Sequence, residues 1–279
     1  MPTPTFHLDR YLDRIGLPVS PRTDLDGLGA VQAAQLRAVP FENLDVIMGG
    51  GIEVEPDAVF RKLVTNERGG YCFECNGLLC NALLALGFDA RLLLGRVVGD
   101  RVDGTVPART HAIVEVQLDG APYIADCGFG ARTMRAPIRL EDGATCADDV
   151  GRGGCRVQRD DAFGWRLART APGEPDRDLF VFDQSIVYPA DIAIGNHWTS
   201  THPSCHFTQR PLVVRHTDAG RRVLNGRRFT VHEGGEPAEQ ALDSAAEWLA
   251  AIRDRFGIAL EPSAAQLEAL WGMATAAEF

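Results

Sequence analysis

The stretch "ERGGYCFECNGLLCNALLALGF", beginning at Glu67, holds three of the chain's seven cysteines, and four chemistries compete for Cys72. A structural zinc site needs about four converging ligands. Cys72 and Cys75 offer one pair in the right format, but no second pair answers it, and His111 and Cys127 have no ligand-type pairing of their own. A redox dithiol would place Cys-x-x-Cys after a strand, whereas a helical pattern leads into this one. Packing as a small apolar residue is the default reading for Cys80, Cys127, Cys146, Cys155 and Cys205. Cys72 differs. It follows Gly69-Gly70, which permit a tight approach of the backbone, and a helix begins at about its own position. Its sulfur therefore meets the positive end of a helix dipole, where a thiolate is stabilised. Arg68 adds local positive charge but reads by default as an ion-pair residue, and Glu74, in the first helical turn, as a partner of the same dipole.

A nucleophilic thiol needs a proton acceptor, normally histidine, and a third group that fixes the imidazole's tautomer. Of seven histidines, His111 opens the alternating run "HAIVEV", and the next run, "YIADCGFG", brings Asp126 to a glycine turn. In adjoining antiparallel strands these two side chains can share a face, although a lone histidine at a strand end is more often structural.

Three kinds of segment must position these groups. Up to about residue 86 the apolar spacing is helical: Leu8, Tyr11, Leu12 and Ile15 before a stop at Gly16, then Leu28, Val31 and Leu36. The helix that follows Cys72 carries Leu79, Leu83 and Leu86 on one face and ends at Gly87. From Phe88 to about Phe182 short alternating runs ("RLLLGRVV", "HAIVEVQL", "PYIADCGF", "WRLAR", "LFVFD") are separated by turns such as Asp103-Gly104 and Asp119-Gly120, the pattern of an antiparallel sheet or barrel. The last third is mixed. Strand-like "PLVVRHT" and "RRVLNGRRFTVHE" precede two helices announced by capping boxes, Ser244 with Glu247 and Ser263 with Gln266.

Composition narrows the partners. With 28 basic against 38 acidic residues and a net charge of -10, the chain would repel the phosphates of nucleic acid and of anionic membranes. Asp9 and Asp13 interrupt what a signal peptide would need as an apolar run, and no segment offers the roughly 18 apolar residues of a membrane span. A cytoplasmic protein with free thiols is expected.

Three blocks, "RGGYCFECN" (68–76), "TH" (110–111) and "DCGFG" (126–130), resemble in order and spacing the catalytic blocks of the arylamine N-acetyltransferases. "VPFENLD" (39–45) and "TSTHPSCHF" (199–207) extend the resemblance, which thins after about residue 210. The resemblance implies an α+β fold: an N-terminal helical bundle (1–86), a central antiparallel β-barrel (87–190) and a C-terminal α/β lid (191–279), the first two forming a cysteine-protease-like scaffold. It implies the triad Cys72, His111 and Asp126, acetyl-CoA as acyl donor, no metal, and a small-molecule arylamine or hydrazine as acceptor, in a monomer or homodimer. Phe41, Phe129 and Phe207 would wall the acceptor pocket or simply pack in the core, and Gly128 and Gly130 would admit substrate to the backbone or only make the turn. Thr110 would border the cofactor. The chain departs from the family pattern at Cys75, at Cys127 and at Ala131, where glycine is usual. Rival readings are an amide synthase of the same fold that closes a macrolactam, a papain-like hydrolase, and a non-catalytic thiol or zinc-binding module.

Overall fold

A computed structural model describes residues 6–99, 105–147 and 153–276, so the turn expected at Asp103-Gly104 lies outside the described residues. The first segment forms α1 (Leu8–Ile15), α2 (Leu25–Ala38), α3 (Leu44–Ile47), α4 (Pro56–Phe60) and α5 (Cys72–Ala85), with a π-helical turn over Arg61–Thr65. Tyr11, Leu12 and Ile15 pack with Leu28, Val31, Leu79 and Leu83 in one core, the apolar stripe read from the sequence. Gly16 ends α1 with a φ of 72°, a left-handed conformation that glycine adopts without cost.

One element in this segment has no helical pattern. Phe41–Glu42 form a strand, β1. The alternating runs then give β2 (Asp89–Val97), β3 (Arg109–Leu118), β4 (Ala121–Ala125), β5 (Ile138–Arg139), β6 (Thr145–Ala147), β7 (Gly154–Asp160), β8 (Gly164–Thr170) and β9 (Arg177–Phe182). They form one antiparallel sheet in the order β5-β4-β3-β2-β9-β8-β7-β6, which curls until its two edge strands approach each other as a nearly closed barrel. Leu93, Ile113, Ile124, Val157, Trp165, Leu167 and Phe180 fill it. β3 and β4 are joined by Asp119 and Gly120, both at positive φ (49° and 76°), the backbone a two-residue hairpin turn requires.

The last third opens with α6 (Pro189–Thr201) and continues through β10 (Leu212–Thr217), β11 (Gly220–Asn225), β12 (Arg228–Glu233), β13 (Ala238–Ala241), α7 (Ala245–Phe256) and α8 (Ala264–Thr275). Ser263 and Gln266 complete the expected capping box, with the Ser263 N–H donating to Gln266 Oε1 at 2.9 Å and the Gln266 N–H to Ser263 Oγ at 3.3 Å. The box at α7 is only half made. Ser244 Oγ accepts the Glu247 N–H at 3.2 Å, but the Glu247 carboxylate takes the N–H of Asp243 (2.9 Å) instead of reaching back to Ser244.

The C-terminal sheet runs β1-β10-β11-β12-β13, so its edge strand comes from the other end of the chain. Phe41 pairs with Val214 and Glu42 with Val213. On its other side β1 holds the residues that precede Cys72: the Glu42 N–H donates to Gly70 O (2.9 Å) and the Gly70 N–H to Pro40 O (3.2 Å). Among the described residues no helix is long and apolar enough to cross a membrane.

Candidate active site

Cys72 is the first residue of α5, so its peptide N–H belongs to the turn that lacks intrahelical partners. Glu74 caps this end by accepting the Tyr71 N–H at 3.0 Å and receives Lys62 Nζ at 2.7 Å. Arg68 bonds Glu42 (3.0 Å) and Asp45 (2.8 Å), the ion-pair role that an arginine beside such a motif takes by default. Gly69 and Gly70 are required for a reason other than a left-handed backbone, since neither has positive φ. A Cβ on Gly69 would stand 2.3 Å from Pro40 O, and one on Gly70 2.7 Å from a Glu74 carboxylate oxygen. The two cysteines of the Cys-x-x-Cys diverge. The Cys72 thiol faces Thr110 O at 3.5 Å, whereas the fully buried Cys75 thiol donates to Gly70 O at 3.2 Å and burial pushes it well above its ordinary range.

Strands β3 and β4 bring the other two groups to the same place. His111 Nε2 lies 2.8 Å from Asp126 Oδ2, with both side chains buried, and the Cys72 side chain acts on the same ring, whose Nδ1 is left for the sulfur. Burial alone would lower the imidazole's affinity for a proton. The Asp126 charge and hydrogen bond, helped by Cys72, outweigh burial and hold His111 at about 9 against an ordinary 6.5. The ring is therefore an imidazolium at neutral pH, the state that stabilises an adjacent thiolate.

Asn76, one turn along α5 from Cys72 and fully buried, ties these parts together. Its Nδ2 donates to Ala112 O (2.6 Å) and to Asp126 Oδ1 (2.8 Å), while its Oδ1 accepts the Cys127 N–H (2.7 Å). One amide thus links the helix of Cys72, the strand of His111 and the turn of Asp126. Sequence reading passed over it, although its i+4 offset from Cys72 places it on the same helix face and was the one signal available.

The remaining residues singled out in the sequence also gather here. The Phe129 ring stands 4.7 Å from the His111 ring, edge to face, and 5.1 Å from Phe180, which itself stands 4.8 Å from His111. Phe41 and Phe207 face each other at 5.7 Å across the cluster that contains Tyr71 and Cys72. Asn43 holds the Phe207 segment by donating to Phe207 O (2.7 Å) and Arg210 O (2.8 Å) and accepting from Leu212 N (2.8 Å). Gly130 has a φ of 63°, and its carbonyl accepts from the buried His216 Nε2 of β10 at 3.0 Å.

Gly128 makes the closest approach. A Cβ there would lie 2.6 Å from Cys72 Cα and 2.9 Å from Asn76 Nδ2, so a single methyl group must displace the Cys72 backbone or break the Asn76 bridge. Overpacking of this kind costs about 1–3 kcal/mol. Gly128→Ala is expected to lower acetyl transfer by roughly tenfold or more while the chain stays folded, as steady-state rates and a melting curve recorded together would show.

The helix-plus-barrel frame and its buried thiol, imidazole and carboxylate define the class of α+β enzymes built on a Cys-His-Asp arrangement. Comparison with known proteins narrows this further. A family model described as N-acetyltransferase matches residues 24–265. The chain is 42% identical over 259 residues to the arylamine N-acetyltransferase of Mycolicibacterium smegmatis, covering 91% of this chain and 92% of that protein. The solved arylamine N-acetyltransferase of Salmonella typhimurium superposes with a TM-score of 0.89 at 30% identity, covering 96% of this chain and 98% of that one. The Mycobacterium marinum enzyme, solved in complex with CoA, gives 0.86 at 33% identity over 96% and 98%. The chain belongs to the arylamine N-acetyltransferase family and is an acyltransferase.

Proposed function

We propose that this chain transfers the acetyl group of acetyl-CoA to the nitrogen or oxygen of arylamines, arylhydrazines and arylhydroxylamines through an acetyl-Cys72 intermediate. The observation that carries this reading is the His111 imidazole held between Asp126 Oδ2, at 2.8 Å, and the Cys72 thiol at a helix start. The names of the relatives and the CoA complex of the Mycobacterium marinum enzyme support the donor and the acceptor class.

In this mechanism the Cys72 thiolate attacks the thioester carbonyl, and CoA departs with a proton from His111. The Cys72 N–H at the start of α5 donates to the oxyanion in this reading. The acceptor then loses a proton to His111 as its nitrogen or oxygen takes the acetyl group, which frees the thiolate. Phe41, Phe129 and Phe207 serve as walls for a flat acceptor, while Thr110, Gly128 and Gly130 border the path of the donor. Residues 1–86 carry the nucleophile, 87–190 the base and its carboxylate, and 191–279 act as the lid. Two products leaving in two separate stages give ping-pong kinetics.

Mass spectrometry after acetyl-CoA alone tests the reading. One added acetyl group on the peptide containing Cys72, discharged by an arylhydrazine with formation of the acetylhydrazide, is the expected result. Retention of the native mass, or acetylation elsewhere, overturns the proposal. An amide synthase would load its own carrier-bound thioester and leave the hydrazine unacetylated.

A further inference from the structure

Cys146 and Cys155 were read from the sequence as packing residues, and the sheet gives them a closer relation. They are direct partners in the β6–β7 ladder, flanked by the pairs Thr145 with Arg156 and Ala147 with Gly154. Directly opposed residues of antiparallel strands project to the same face. Here that face is the barrel core, where Cys155 is buried beside Val157 and Trp165 and Cys146 packs against the same cluster. The ladder also fixes their separation. The Val157 N–H donates to Ala144 O at 2.9 Å, which marks that pair as a hydrogen-bonded one. Two residues along, Cys146 and Cys155 occupy the same kind of position, with Cα atoms about 5.5 Å apart. A disulfide spans about 4.4–6.8 Å between Cα atoms.

We infer that Cys146 and Cys155 form a reversible intramolecular disulfide, a modification site between the barrel's edge strand and its neighbour that uses none of Cys72, His111 and Asp126. Neither cysteine is disulfide-bonded in this structure, and they differ in access: Cys146 is half-buried and Cys155 is buried. The thiols hydrogen-bond each other, and this bond, ahead of burial, holds the proton on Cys155. Cys146 is therefore the sulfur that meets an oxidant first. With glutathione disulfide as oxidant, the Cys146 thiolate attacks one sulfur, the S–S bond breaks and glutathione thiolate leaves. Cys155 then gives its proton to solvent, its sulfur attacks that of Cys146, and a second glutathione thiolate departs. The sum is one protein disulfide and two glutathione thiols from two protein thiols and one glutathione disulfide.

The sequence provides its own assay. Trypsin cuts after Arg139, Arg152 and Arg156, which places Cys146 in residues 140–152 and Cys155 in residues 153–156. The folded full-length protein is incubated with glutathione disulfide, unfolded in excess iodoacetamide and digested. The expected result is a linked pair of these two peptides, two hydrogens lighter than their sum and separated by dithiothreitol, with a melting temperature raised by a few degrees in the oxidised protein. Cys146→Ser should remove both the linked pair and the rise, with acetyl transfer within twofold of the parent. A glutathione adduct that persists on Cys146, or two peptides that both remain fully alkylated, overturns the inference.

Discussion

Cys72→Ala is expected to remove acetyl transfer entirely, a fall on the order of 10⁴-fold or more, because no other group near His111 can carry the acetyl through a covalent stage. The other thiols cannot substitute. Cys75 and Cys127 are fully enclosed, and burial pushes both far above their ordinary range. Cys80, in the helical core, is pushed up to about 12 by the same cause. The variant should nevertheless fold, since it loses one sulfur from a site held by backbone and by Asn76. Cys80→Ala is the matching control and should stay within a few-fold of the parent rate. CoA release from acetyl-CoA with an arylhydrazine measures both, and turnover retained in Cys72→Ala would remove the nucleophile from the mechanism.

Asp126→Asn should be nearly as damaging, by about 10³–10⁴-fold, the size of effect seen when the equivalent carboxylate of a serine-protease triad is changed to its amide. The geometry explains why no rotamer of the amide works. Oδ1 of Asp126 accepts from Asn76 Nδ2 (2.8 Å) and from the Gly128 N–H (2.6 Å), while Oδ2 meets His111 Nε2. An NH₂ group on the first side opposes two donors. On the second side it forces Nε2 to accept, which puts the ring proton on Nδ1, against the sulfur it should serve. The same variant carries a pH signature. The folded imidazole keeps its proton up to about 9 and an unfolded one up to about 6.5. The stability it contributes is therefore complete below about pH 6.5 and is lost as pH rises through about 9. Melting temperatures of the parent should fall across that window, and those of Asp126→Asn should change much less. Parallel slopes would show that Asp126 does not hold the imidazole's charge.

The groups that meet at the candidate site were legible in the sequence because each is a rare residue type in a recognisable local setting. Cys72 stood after two glycines at a helix start, and His111 and Asp126 stood in consecutive strand-like runs. The helical, barrel and mixed segments were legible from periodicity where one face of an element is buried, as in α1 and β7, although β3 is buried on both faces. What escaped notice depends on partners far away in the chain. Asn76 reads as an ordinary helix residue until Ala112, Asp126 and Cys127 converge on it. β1 has only two residues and no period to detect, and the pairing of Cys146 with Cys155 follows from a register that neither strand specifies alone. Sequence reading also missed β13, all four of whose residues are exposed, so that no buried face stamps an alternation on it.

The seam at β1 bears on when the backbone before Cys72 is braced. Phe41 and Glu42 are held on one side by Gly70 and on the other by Val213 and Val214. During synthesis the first side is available early, but the second waits for a segment more than halfway further along, and closing so long a loop is entropically slow. The glycines that deliver Cys72 to the start of α5 therefore gain their full bracing only when the C-terminal sheet has been translated and docked. A chain ending before residue 213 keeps Cys72, His111 and Asp126 but loses the partner of β1, so it should melt at a lower temperature than the full-length protein.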